Sequence, residues 1–218
     1  MNILCFGDSN TWGLRPMIGD RYIKSERWTG RLQNMLGNGH YVIEEGLNGR
    51  TANEIDIEEP YLNGREYMAA CLLSHRPVDV LIVMLGSNDI KSRYNKTAEQ
   101  VAESILSLTK DMKKLLDERQ SEDARVLLIS PKSIDERILG DWCFTDESIA
   151  NSKRLGGLLK EGAAKENWIF LDADEAGVTL GDDGLHLSPQ GHEVLAKAVY
   201  EAVVRNLYQH RTSMNHTK

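Results

Sequence analysis

Three cysteines in 218 residues, Cys5, Cys71 and Cys143, are odd in number, widely spaced and never paired as C-x-x-C. That excludes a disulfide framework and argues against a zinc site. Cys5 and Cys71 lie in apolar patterns and read as small core residues. No apolar run reaches the length of a membrane span. Basic residues are in deficit, with a formal charge of -7, so neither nucleic acid nor an anionic membrane is expected as the main partner. The amino terminus has no basic segment, h-region or cleavage site, so a cytoplasmic, reducing compartment is the expectation. Internal repeats and low-complexity linkers are absent too. At this length one domain is expected over residues 1–208, followed by a polar tail over 209–218 read as disordered.

What is present is an alternation. Ile3 to Phe6 is a short, continuous apolar run, as in a buried strand. Trp28, Leu32, Met35 and Leu36 recur at helical spacing, stopped by Gly37 and Gly39. Tyr41 to Glu44 reads as a second strand, and Glu66 to His75 as a short helix. Val78 to Leu85 is apolar on both faces, as a central parallel strand must be. Thr97 and Gln100 can form a capping box, after which Val101, Ile105, Leu108, Met112 and Leu115 mark one helical stripe. Arg125 to Ile129 is a fourth strand, 146–164 a helix, and Trp168 to Leu171 a fifth strand. Ser188 and Pro189 open the last helix as N-cap and first-turn proline. The stretch after the first strand to about Ser25, and that from Ile138 to Thr145, read as irregular. Strands alternating with helices imply an α/β fold: a mainly five-stranded parallel sheet between helical layers, joined by right-handed crossovers.

In such a sheet every strand's carboxyl end points to one edge, where ligands bind. Four polar segments follow strand ends: Gly7-Asp8-Ser9, Asn48-Gly49-Arg50-Thr51, Gly86-Ser87-Asn88-Asp89 and Asp183-Gly184-Leu185-His186. A serine hydroxyl is a weak nucleophile until a base takes its proton and a third group orients the base. Ser9, His186 and Asp183 can supply those roles, with Asp182 as the rival acid. The backbone N–H groups of Ser9 and Gly49 and the Asn88 side-chain amide are candidate oxyanion donors. Asp8 is read as holding its turn, Asp89 as structural and Arg50 as bracing its loop.

These four blocks, in this order, resemble the GDSL/SGNH hydrolases, from Phe6 to His192. Phe6-Gly-Asp-Ser-x-Thr-Trp-Gly13, Glu45-Gly-Leu-x-x-Arg-Thr51 and Met84-Leu-Gly-x-Asn-Asp89 are most similar to the arylesterase/acyltransferase branch. The resemblance implies a three-layer, flavodoxin-like α/β/α fold. It also implies a Ser–His–Asp mechanism through an acyl-enzyme, no cofactor or metal, and association of identical copies. Asn10 stands where the family's naming motif has Leu, which bears on acyl-pocket polarity.

The expected activity is hydrolysis of small acetyl or aryl esters, with water or an alcohol as acceptor. Deacetylation of carbohydrates, or thioester or lysophospholipid hydrolysis, is the alternative on the same residues. A flavodoxin-like binding module is the remote alternative, since G-x-G-x-x-G and a P-loop lysine are missing. Trp12, Trp142, Phe144 and Leu185 are candidates for lining the substrate pocket. His192 is read as a surface or interface residue, and His40, His75, His210 and His216 as lacking acidic or cysteine partners at metal spacing.

Overall fold

Successive residues of an extended strand face opposite sides, so an apolar run with no polar face must be covered twice. In the computed structural model, Leu4 and Phe6 enter one core and Ile3 and Cys5 the other. The structure describes residues 1–141 and 143–214, with side chains to Arg205. Five strands pair in parallel: β1 (Asn2–Gly7), β2 (Tyr41–Gly46), β3 (Val80–Met84), β4 (Arg125–Ser130) and β5 (Ile169–Asp172). Their order is β2-β1-β3-β4-β5, the flavodoxin-like arrangement. The chain leaves β1 to one side for β2 and returns past it for β3, so the order reverses between β1 and β3.

Among the described residues six α-helices accompany the sheet: α1 (Ser9–Trp12), α2 (Trp28–Leu36), α3 (Gly64–His75), α4 (Ala98–Arg119), α5 (Asp146–Lys165) and α6 (Pro189–Met214). Cys71 and Leu72 of α3, Ile105 and Met112 of α4, and Leu155 and Leu159 of α5 fill one side. Trp28 and Leu32 of α2, with Leu195 and Val199 of α6, fill the other. The expected capping box is present at α4, where Gln100 N–H donates to Thr97 Oγ1 at 3.3 Å and Thr97 N–H to Gln100 Oε1 at 3.0 Å. Ser188 caps α6, its Oγ accepting from Gly191 N–H at 3.0 Å.

Four expectations change. The irregular stretch after β1 begins with α1, one helical turn. Part of the Ile138–Thr145 stretch lies in a 3₁₀ turn over Glu136–Gly140, capped by Asp135. The last helix continues to Met214, past the boundary expected at 208, because no glycine or proline interrupts it. His192 is fully buried rather than at the surface. Its Nδ1 accepts from Trp28 N–H at 3.3 Å, and its ring meets Tyr22 edge-on at 5.1 Å. It thereby ties α6 to the first turn of α2. Trp142 and His216 lie outside the described residues, as does the side chain of His210.

Candidate active site

The site begins where β1 stops. The chain turns directly from Gly7 into α1, and Asp8 caps that turn, its Oδ1 accepting from Asn10 N–H at 2.9 Å. Burial pushes the Asp8 carboxyl up to about 6. The turn fits against the end of β2 only because residue 46 is glycine. A Cβ there would stand 2.1 Å from Trp12 N and 2.6 Å from Trp12 Cα. Ser9 is thus presented at the carboxyl edge, just past the end of β1, one of the two strands between which the order reverses.

His186 and Asp183 arrive on a loop between β5 and α6. The loop is closed by a bridge between Leu180 and Leu187 and by Gly181 N–H donating to the His186 carbonyl at 2.8 Å. Asp183 Oδ1 accepts from the backbone N–H of Leu185 at 3.0 Å and of His186 at 2.9 Å. Its Oδ2 lies 2.7 Å from His186 Nδ1. Across the ring, His186 Nε2 lies 3.0 Å from Ser9 Oγ. Burial alone raises the Asp183 carboxyl, but the bonds from the His186 ring and the two backbone N–H groups outweigh it and hold it below the usual carboxylate value. An ionised Asp183 fixes the proton on Nδ1 and leaves Nε2 free to accept from the serine. Asp182, the rival, is exposed to solvent.

Asn10 has a role the sequence reading missed. Its Nδ2 donates to the Leu185 carbonyl at 3.3 Å, and its Oδ1 accepts from Leu187 N–H at 2.9 Å. One amide therefore grips the backbone on both sides of His186, from the residue next to Ser9. A leucine could make neither bond. Its amide is spent on this clamp rather than on an acyl pocket. The available signal was the amide itself, since only a residue with both donor and acceptor can pair with a backbone carbonyl and a backbone N–H at once.

The three candidate oxyanion donors share this edge. Ser9 begins α1, and the first N–H groups of a helix have no partner within it. Gly49 sits in a turn closed by Arg50 N–H donating to the Leu47 carbonyl at 3.1 Å. Its φ of +81° is a conformation that a side chain disfavours. Leu47 N–H reaches the Gly7 carbonyl at 3.2 Å, and Arg50 Nη1 the same carbonyl at 3.0 Å, which ties this turn to the Ser9 turn. The Asn88 amide donates to the Arg50 carbonyl at 3.2 Å. Asp89, fully buried, accepts from Ala52 N–H at 2.7 Å, so the structural reading of Asp89 holds. Burial raises its carboxyl to about 7.

The model of the GDSL-like lipase/acylhydrolase family matches residues 5–194. The chain belongs to that family. It is a carboxylic ester hydrolase with the family's α/β fold. The carbohydrate acetylesterase Est24 of Sinorhizobium meliloti is 33% identical over 94% of this chain and 98% of its own, with a TM-score of 0.87. An inhibitor-bound aryl esterase of M. smegmatis is 31% identical with the same coverage and a TM-score of 0.88. At 21% identity, a lipase/acylhydrolase from Enterococcus faecalis shares the fold, with a TM-score of 0.67 over 93% of this chain and 94% of its own. No curated protein sequence matches significantly.

Around the GDSL hydrolase site, Ser9 is only 5% exposed. Trp12 is half-buried, with the Arg21 guanidinium 5.1 Å from its ring centre. Phe144 and Leu185 are packed into the core on the α4–α5 side, and Lys91 Nζ stands 6.0 Å from the Phe144 ring centre. Among the described residues, no helix is long and apolar enough to cross a membrane.

Proposed function

We propose that this hydrolase cleaves small carboxylic esters, acetyl or aryl, through an acyl-enzyme on Ser9. The observation that carries the reading is the unbroken chain from Ser9 Oγ to His186 Nε2 at 3.0 Å and from His186 Nδ1 to Asp183 at 2.7 Å. Ser9 Oγ attacks the ester carbonyl as Nε2 takes its proton. Asp183 stabilises the imidazolium without being protonated itself. The oxyanion is received by the N–H groups of Ser9 and Gly49 and the Asn88 amide. His186 returns the proton to the departing alkoxide. Water then attacks the acyl group, with His186 again as base, and Ser9 is released. An alcohol in place of water transfers the acyl group. The low exposure of Ser9 supports a small acyl group and a site where water competes poorly.

The test is p-nitrophenyl acetate. A burst of nitrophenol stoichiometric with enzyme is expected, and Ser9→Ala should lose roughly 10⁶-fold in kcat. Turnover by that variant at a rate near the wild type overturns the assignment. The likeness to a carbohydrate acetylesterase favours a second reading, removal of acetyl groups from sugars. A panel of aryl acetates and acetylated xylo-oligosaccharides, run with and without an added alcohol, separates the two. We also propose that copies associate, as the family resemblance implies. The strongly exposed Ile55 (73%), Ile57 (93%) and Tyr61 (59%) support this.

A further inference from the structure

On the face of the sheet packed against α3 and α4, three donors of different chemistry meet. Cys71 and His75 are four residues apart on α3, so they share one helical face. Glu45 is on β2, whose alternation sends Ile43 and Glu45 to the α3 side and Glu44 to Arg27 on the other. His75 Nε2 lies 2.7 Å from Glu45 Oε1. The Cys71 sulfur, one imidazole nitrogen and one carboxylate oxygen all lie within 4.8 Å of one another. Among the described residues no other group of three such donors comes together.

We propose that Glu45, Cys71 and His75 form a zinc site. Thiolate, imidazole and carboxylate are the ligand types zinc takes, and three protein ligands leave a fourth position for water. Calcium and magnesium prefer all-oxygen shells, so a sulfur–nitrogen–oxygen set selects against them. An ion about 2.0–2.3 Å from each donor replaces the His75–Glu45 hydrogen bond and draws the sulfur inward. Binding converts the Cys71 thiol to a metal thiolate and releases its proton to solvent. The carboxylate is already oriented from outside, since Tyr67 Oη donates to Glu45 Oε2 at 3.1 Å. His75, with its side chain 33% exposed, provides the entry path, while Cys71 is buried behind it. The Arg50 guanidinium, 5.1 Å from the Tyr67 ring centre, adds a nearby positive charge. The site is therefore weaker than a closed four-ligand structural site.

The sequence reading set these residues aside for a physical reason. Cys71 read as a small core residue, and His75 as lacking an acidic or cysteine partner; both partners are present, Cys71 one helical turn away on α3 and Glu45 across from β2, distant in the chain.

The experiment is metal titration of chelator-stripped full-length protein, read by competition with a chromophoric zinc chelator and by cobalt absorption. One equivalent of zinc per chain is expected, together with a thiolate-to-cobalt charge-transfer band. Ser9→Ala should keep both, which separates this site from the ester chemistry. Cys71→Ser should lose the band and the equivalent. If that core variant does not fold, His75→Gln at the exposed edge should weaken zinc binding by more than the roughly 10–100-fold typical of losing an outer-shell partner. Cobalt bound without a thiolate band, or zinc affinity unchanged in His75→Gln, overturns the proposal.

Discussion

At the scale of the residue, the site is governed by which groups hold His186 rather than by the imidazole alone. Asn10 bonds the backbone before and after it, and Asp183 bonds its ring. Asn10→Leu keeps the side-chain size and removes both clamps. The expected outcome is a fall in kcat for p-nitrophenyl acetate with little change in KM, because the loop loses its register with Ser9 before substrate contacts are touched. An unchanged kcat would mean that the loop's own bonds suffice. Asn88→Ala removes one of the proposed oxyanion donors and should lower kcat by about 10²–10³. The sequence singled out Ser9, His186, Asp183 and Asn88 because the proposed chemistry needs a particular functional group at each, and the first three do meet in the fold. Asn10 was legible only as a departure from the family motif, since its two bonds run to backbone atoms that carry no residue identity.

Asp89 also belongs at this scale. Folded, its carboxyl keeps its proton up to about pH 7, against an ordinary value of 3.8. Between those values the folded chain holds a proton that the unfolded chain has released. The Asp89 contribution to stability is therefore present at low pH and is lost as pH rises toward 7. Asp89→Asn should remove that fall. Urea midpoints at pH 5 and pH 8 measure it, and parallel pH slopes for the variant and the wild type would contradict it.

At the scale of the element, the decisive contact is between α1 and the end of β2. A one-turn helix has no stability of its own, so α1 exists because Asp8 caps it and Gly46 lets its backbone approach. Gly46→Ala places a methyl group 2.1 Å from a backbone nitrogen, which cannot move without moving Ser9. A loss of activity far exceeding the loss of stability is expected, compared by nitrophenyl acetate turnover against thermal melting. Thr97→Ala is the contrasting case. It removes the cap of α4, whose hydroxyl accepts from Gln100 N–H and not from a candidate site residue, and should cost about 1 kcal/mol while leaving kcat intact. The strands and long helices were legible from periodicity, because each has a whole face to bury. The turn α1 was not, since four residues make too short a window for any period.

At the scale of the whole molecule, two buried layers sandwich a sheet whose carboxyl edge brings Ser9, His186 and Asp183 together. Ile55, Ile57 and Tyr61 stand outside both layers. If they seat a second copy, light scattering should give a mass above the 24.5 kDa of one chain, and Ile57→Glu should lower it. A monomeric wild type at micromolar concentration would contradict this. His192 acts across the two helices it joins. Burial lowers it to about 3 from 6.5, so the unfolded chain takes up a proton below about pH 6.5 that the fold refuses. Its contribution to stability is present above that pH and fades with acid, opposite in sign to Asp89.

By itself the sequence determined the alternation of strands and helices, the sheet edge to which the polar blocks belong, and the residue types that meet there. Local periodicity and turn chemistry are written in neighbouring residues, so one chain suffices to read them. Only the tertiary structure decided that Asp183 rather than Asp182 faces the imidazole, that Asn10 holds the histidine loop, that His192 is buried, and that Glu45 joins Cys71 and His75. Each of those depends on where a side chain points once distant segments are packed, and that direction follows from contacts no stretch of sequence contains.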